Sequence, residues 1–302
     1  MSKKLSHIGE FGLIDWIQKT AHIGKDVRKG IGDDTAVLPW TATQYLLFTT
    51  DMIAEGVHFT SDTSPHLIGR KVLACNISDI AAMGGLPTAA VVSLGVRGNL
   101  PVRFVKELYR GIYRLAGIFK VGVVGGDTVK SDKLAINVAL LGEVAKSHLL
   151  LRSGAGVGDI IFVTGPLGRS FPSKKHLTFI PRVRESQFLV ESAKPSAMID
   201  ISDGLAGDLG HIVKASRVGA FLYADQIPRN KGATLNEALY GGEDFELLFT
   251  LPLPKAKRLK KISARRFSFY PIGQIVEKEQ GLQLINAKGR KQRLSTRGFT
   301  HF

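Results

Sequence analysis

NISDIAAMGG, residues 76–85, sets a single carboxylate, Asp79, among small and apolar side chains and closes on a glycine pair. A carboxylate in such company is costly to bury unless a cation or hydrogen-bond donors meet it. Acids of the same kind recur along the chain. Asp33 and Asp34 follow Gly32, Asp51 closes the apolar run YLLFTT at 45–50, Asp127 follows Gly125 and Gly126, and Asp200 and Asp203 stand just before Gly204. Mg²⁺ takes oxygen ligands and often bridges carboxylates to substrate phosphates. Glycine permits close backbone approach, and the short Asp side chain holds a metal near rigid backbone. Thr49 and Thr50, immediately before Asp51, add hydroxyl or backbone oxygens. One Asp–Gly pair is an ordinary turn. So many, most abutting apolar runs, point to Mg²⁺ and the phosphates of a nucleotide.

The composition allows this. A chain of 302 residues holds one large domain or two of ordinary size. Hydrophobic residues at 44% and charged ones at 22% describe a soluble globular protein. No apolar run reaches the length of a membrane span, and the opening MSKKLSHIGEFGLI has no secretory core or cleavage site. The single Cys75 excludes an internal disulfide and fits a reducing cytoplasm. The net charge of +15 suits nucleic acid, acidic membranes or phosphorylated small molecules. Its densest run, KAKRLKKISARR at 255–266, reads as a solvated helix with Ala256, Leu259 and Ile262 inward. Without a zinc-finger spacing or an aromatic RNA-binding run, the charge is weak evidence for a polynucleotide partner.

The pattern predicts helices over 8–20, 65–83, 102–119 and 205–216, the first with an apolar stripe from Phe11, Ile14, Trp16 and Ile17. Strands are expected at 45–50, delivering Asp51 at its end, at 89–96, at 121–124 running into Gly-Gly-Asp, and at 134–144. After a composition break in LRSGAGVGD at 151–159, further strands are expected at 160–164, 220–224, 246–251, 270–275 and 282–285. Residues 169–196 carry little pattern. The order is α/β or α+β, in two domains, 1–148 and 149–302.

The usual phosphate-handling devices are missing: no G-x-x-x-x-G-K-[ST], no kinase glycine loop, no H-R-D or D-F-G. Metals held by carboxylates must then do most of the work, and Arg152 at the junction is the best-placed cation, with a surface arginine on a loop as the equally weighted alternative. His58 in EGVHF and the acids Glu243 and Asp244 in GGED are candidate ligand contacts, with a capped loop and a turn as the bland alternatives. No zinc-type ligand pair and no G-x-S-x-G nucleophile is present.

Taken together, these segments resemble the thiamine-monophosphate kinase family, within the superfamily of aminoimidazole-ribonucleotide synthetase. The pieces run nearly end to end: GEFGLI at 9–14, GIGDDTAVL at 30–38, TTDMIAEGVHF at 49–59, NISDIAAMGG, VGGDTVKSD at 124–132, RSGAGVGDIIFVTG at 152–165, MIDISDGLAGDLGHIVKAS at 198–216, GGEDFELLFT at 241–250 and GFTHF at the end. The resemblance implies an ATP- and Mg²⁺-dependent enzyme that phosphorylates thiamine monophosphate to thiamine diphosphate by direct in-line transfer. It implies several Mg²⁺ ions on Asp34, Thr49, Thr50, Asp51, Asp79, Asp127, Asp200 and Asp203, of which Asp51, Asp79 and Asp203 are the most critical, and no side chain acting as nucleophile or base. ATP would meet Tyr109, Gly126, Asp127, Arg152 and Ser202, and the thiamine phosphate His58, Glu243 and Phe299. It also implies an N-terminal α/β domain whose sheet pairs with its copy in a homodimer, and a cytoplasmic protein. The segment PLGRSFPSKKHLTFIPRVRES at 166–186 departs from the family, being shorter and more basic. Rival readings are the purine synthetase, selenophosphate synthetase, the hydrogenase-maturation dehydratase and a catalytically dead nucleic-acid binder. The lack of an N- or C-terminal reactive Cys and the intact acids count against the last three, and GVHF and GFTHF against the first.

Overall fold

Period-two alternation and helical caps divide the chain into two sheets with a largely buried helix between them. The computed structural model describes residues 4–263, 266–296 and 298. Helix α1 (Leu5–Thr20), kinked at Gly9, leads into β1 (Ala36–Pro39), β2 (Gln44–Ala54), α2 (Pro65–Ala82), β3 (Leu86–Val96), α3 (Val102–Phe119), β4 (Gly122–Lys130) and β5 (Ala135–Ala145). The strands form one sheet in the order β1-β2-β5-β3-β4, antiparallel except for β3 with β4.

Helix α2 is buried on nearly every face, from Ile68 through Ala82. A helix apolar all round belongs inside a protein. Pro65 at its first turn costs no hydrogen bond there. It meets α3 through two glycines: a Cβ on Gly69 would lie 2.0 Å from Leu108 O, and one on Gly111 would lie 2.0 Å from His66 O. Together α2 and α3 cover the inner face of the sheet, packing on Leu47, Val92, Val138 and Leu140. The outer face keeps apolar side chains at the surface, Phe48 and Met52 on β2, Val91 on β3, and Val124 and Val129 on β4.

The second half runs β6 (Ile160–Val163), α4 (Lys175–Thr178), α5 (Val183–Ser192), β7 (Ala197–Asp200), α6 (Leu205–Ser216), β8 (Gly219–Tyr223), α7 (Leu235–Tyr240), β9 (Leu247–Leu251), α8 (Leu253–Ser263), β10 (Tyr270–Val276), β11 (Leu282–Ile285) and β12 (Lys291–Arg293). Its sheet order is β12-β11-β8-β10-β6-β9-β7. Ile161, Val163 and Ile199 face a core shared with α6 and α7. Phe162, Met198 and Phe249 point the other way, to α5 and α8. The edge strand β7 is not open to solvent, because α2 packs against it. That contact joins the two halves.

Several expectations are corrected. Helix α1 buries none of its residues, and Trp16 is 61% exposed; it touches the second half instead, through the Phe11 and His211 rings at 5.5 Å. Asp51 sits inside β2 rather than at its end, because β5 pairs with β2 through Ala54. Gly125, Gly126 and Asp127 are not a turn: they continue β4 beside β3. On α8 the buried positions are Ala256, Leu259 and Ser263, while Ile262 is part-exposed and the cations face out. Within 169–196, α4 and α5 form where pattern was weak.

The glycine crossing gives a test. Gly111→Ala is expected to lower stability by about 1–3 kcal/mol through overpacking. Gly117→Ala, on the same helix with open space around it, is expected to be neutral or stabilising by up to about 1 kcal/mol. Urea unfolding of both variants, with equal losses, would contradict the packing account.

Candidate active site

Alternation along β2 sorts the residues around Asp51. Leu47, Thr49, Asp51 and Ile53 face inward, and Phe48, Thr50 and Met52 outward. The Thr49 hydroxyl donates to Asp79 Oδ2 at 2.6 Å and lies 3.3 Å from the Asp34 carbonyl. Asn76, one helical turn before Asp79–Ile80 on α2, accepts the Asp51 backbone N–H at 3.1 Å. Ser78 reaches across the junction and donates to Asp200 Oδ2 at 2.6 Å. Asp34, Asp79 and Asp200 thereby converge, with one carboxylate oxygen from each lying within 4.8 Å of the others.

Beside Asp79 lies a cavity of about 230 Å³ at the junction of the halves, lined also by Asp51, Ser202, Asp203, His58 and Glu243 among others. Asp203 is presented by a loop whose backbone N–H groups at Asp203 and Gly204 donate to Asp208, at 3.2 and 3.1 Å. Arg152 donates to Asp34 Oδ1 at 2.7 Å, and its backbone N–H to Asp33 Oδ1 at 3.1 Å. Asp34 Oδ2 has no hydrogen-bond partner.

Electrostatics set the character of this place. Burial, then Asp51, Asp200 and Asp34, push the Asp79 carboxyl well above the usual carboxylate range. Burial, then Asp34, raise Asp200 to about 8. Burial and Glu243 raise Asp51 to about 6, and burial also raises Asp34 to about 6 although Arg152 opposes it. Acids that repel one another in a poorly hydrated site hold their protons until a cation offsets the charge. A buried carboxylate oxygen without a partner, in an all-oxygen donor set, fits Mg²⁺. A second group, Asp203, Asp208 and His211, includes a nitrogen donor that burial drives down to about 4. Asp208 there is already committed to the loop backbone.

Some expected residues are not brought to this cluster. The Thr50 hydroxyl bonds Asn137 Oδ1 and the Val138 carbonyl on the outer face. Gly126 and Asp127 lie on β4, three strands from β2, about 14 Å at ordinary strand spacing. Gly126 also has a packing reason, since a Cβ there would lie 1.9 Å from Val92 O. Tyr109 is on α3, packed beside Tyr113. Phe299 lies outside the described residues; Gly298, just before it, packs on Asp203 and Gly207. Asp244 is structural: it accepts from Ser170 Oγ at 2.6 Å and Gly168 N at 2.8 Å.

The basic segment 166–186 also has a role. Arg182 donates twice to Glu246, each at 2.7 Å, and Lys175 and Thr164 add contacts at 3.0 and 2.8 Å. Its cations neutralise Asp244 and Glu246, in the segment between Glu243 and β9. Sequence reasoning missed Lys71, Ser78 and Asp208. Lys71, Cys75 and Asp79 stand at i, i+4 and i+8 on α2 and all line the cavity; that spacing was the available signal.

Comparison with known proteins agrees with this geometry. Residues 32–144 match the AIR synthase related protein N-terminal domain, and residues 171–285 the AIR synthase related protein C-terminal domain. The thiamine-monophosphate kinase of Buchnera aphidicola from Acyrthosiphon pisum is 36% identical, over 92% of this chain and 94% of that protein. The chain belongs to the thiamine-monophosphate kinase family. The Escherichia coli K12 kinase is 33% identical over 97% of this chain and 98% of its own length. A solved ThiL structure, complexed with AMPPCP and TMP, superposes with a TM-score of 0.87 at 33% identity, covering both chains completely. No described helix is long and apolar enough to cross a membrane.

The raised acids give a signed prediction for a kinase of this family. Each binds its proton more tightly folded than unfolded, so the metal-free fold loses stability from these groups as pH rises above about 4, the loss from Asp34 and Asp51 being complete past about 6 and that from Asp200 continuing to about 8. Mg²⁺ bound among these acids would relieve the same repulsion. Thermal melting is therefore expected to show a larger Mg²⁺-induced rise in Tm at pH 8 than at pH 6, and Asp79→Asn should raise the metal-free Tm at pH 8 while shrinking the Mg²⁺ response. An Mg²⁺ response independent of pH and of Asp79 would contradict the assignment.

Proposed function

We propose that this chain transfers the γ-phosphoryl group of ATP to thiamine monophosphate, giving thiamine diphosphate and ADP in an Mg²⁺-dependent reaction of thiamine diphosphate biosynthesis. The observation that carries the reading is the convergence of Asp34, Asp79 and Asp200 beside a cavity that also holds His58 and Glu243, in a chain whose relatives match it along nearly its full length.

Asp34, Asp51, Asp79, Asp200 and Asp203, with Thr49, would hold Mg²⁺, and bound there it would offset the charge of the phosphates. The chain's own part is placement. Arg152 and Ser202 face the ATP side, and His58 and Glu243 the thiamine-phosphate side. Phe299, outside the described residues, is assigned to the latter on the family resemblance alone. A phosphate oxygen of thiamine monophosphate attacks the γ-phosphorus as the bond to the β–γ bridging oxygen breaks and ADP departs. That oxygen is largely ionised near neutral pH, so no side chain has to remove a proton. We assign no nucleophile or general base.

Tyr109, Gly126, Asp127 and the Thr50 hydroxyl lie away from this cavity within one chain. We assign them to the same site through a homodimer, in which the exposed outer face of the first sheet meets a second copy. The apolar Phe48, Met52, Val91 and Val124 on that face support the reading. We place the domain division at 148/149, between the sheets, and the protein in the cytoplasm.

Purified protein with ATP, Mg²⁺ and thiamine monophosphate is expected to yield thiamine diphosphate and ADP on chromatography, and thiamine itself to yield none. Asp79→Asn and Asp51→Asn should each lower turnover by about 100-fold or more, as loss of a charge-stabilising group does. A folded, ATP-binding protein that makes no diphosphate would overturn the substrate assignment.

A further inference from the structure

The cavity has a cation on its inner wall to which the reaction above gives no part. Lys71 on α2 is wholly buried, a state lysine almost never adopts unpaired. Its ammonium donates to the Glu243 carboxylate and to the His58 carbonyl, the latter at 3.1 Å. These are the two described residues assigned to the thiamine phosphate.

The Glu243 segment needs holding. Gly242, Glu243 and Phe245 all have positive φ, at 66°, 55° and 49°, and the left-handed region is unfavourable for side-chain-bearing residues such as Glu and Phe. Two backbone bonds pin the segment to the loop of Asp203: Glu243 N to Ser202 O at 2.6 Å and Phe245 N to Ile201 O at 2.8 Å. Neither restrains the Glu243 side chain. Lys71 does, from a helix of the other half, while also holding the turn at His58. Lysine offers three donors without an acceptor, so one ammonium can order both walls.

We propose that Lys71 is a positioning residue for the thiamine-phosphate side of the cavity, acting through Glu243 and the His58 turn and leaving the ATP side untouched. The proposal rests on the reaction assigned above.

The test is steady-state kinetics on the full chain for Lys71→Met, Lys71→Arg, Glu243→Gln and the double variant Lys71→Met/Glu243→Gln, with thermal melting of each. Lys71→Met is expected to raise KM for thiamine monophosphate by about tenfold or more while KM for ATP stays within about twofold. Lys71→Arg should recover part of the loss. The double variant should be worse than Glu243→Gln by less than the Lys71→Met factor, because the two side chains share one interaction while only the His58 contact is lost in addition. Equal rises in both KM values, an unmoved KM for thiamine monophosphate, or a double variant showing the product of the single effects would overturn the role. If melting shows Lys71→Met unfolded, Lys71→Arg decides, with a selective rise in that KM of about threefold expected and no rise overturning it. A wild-type protein that forms no thiamine diphosphate would overturn the substrate assignment and the Lys71 role with it. Turnover by the wild type with unmoved Lys71 variants would overturn the positioning role alone.

Discussion

Three carboxylates, Asp34, Asp79 and Asp200, meet in a poorly hydrated space, each supplied by a different part of the fold. Left alone they repel one another and hold their protons, which costs the fold stability near neutral pH. Such a cost persists only where the surrounding packing is strong enough to impose it. Here the packing is that of α2, buried along most of its length between a sheet on one side and β7 on the other. Ser78 and Asp79, adjacent on that helix, reach Asp200 and Thr49 respectively. The helix that builds the core therefore also sets the distance between the acids.

The same helix links the two chemical sides of the cavity. Asp79 belongs to the acid cluster and Lys71, two turns earlier, to the pair with Glu243. Opposite charges about 12 Å apart along one rigid element divide the cavity into a cation-seeking end and an end already neutralised. An enzyme that must hold two phosphates in line, one donating and one accepting, gains from a wall that cannot change length. Breaking the buried Lys71–Glu243 pair from either side would leave an uncompensated charge.

Much of the fold was legible because the decisive elements are strongly patterned. α2, α3 and α6 appear where the periodicity put them, and β3, β5 and β8 are displaced by only a few residues. Gly-Gly-Asp at 125–127 misled because glycine pairs read as turns, while here β3 approaches so closely that Gly126 has no room for a side chain. β7 and β12 were not anticipated; β7 is a four-residue strand fixed by pairing with β9, and four residues carry too little alternation to stand out. The acids Asp34, Asp79 and Asp200 could be named as a group from their apolar neighbours. Thr50 could not be separated from Thr49 until β2 had a register, since one residue turns a side chain to the opposite face. Lys71 escaped notice because a lysine beside Arg70 reads as helix surface until a tertiary partner is known.

The central claim is that Asp34, Asp79 and Asp200 together hold a divalent cation. Anomalous diffraction from crystals grown with Mn²⁺ and a non-hydrolysable ATP analogue tests it most directly. The account predicts an anomalous peak at coordinating distance from carboxylate oxygens of all three residues. Peaks confined to the Asp203, Asp208 and His211 group, with none between the three acids, would contradict it.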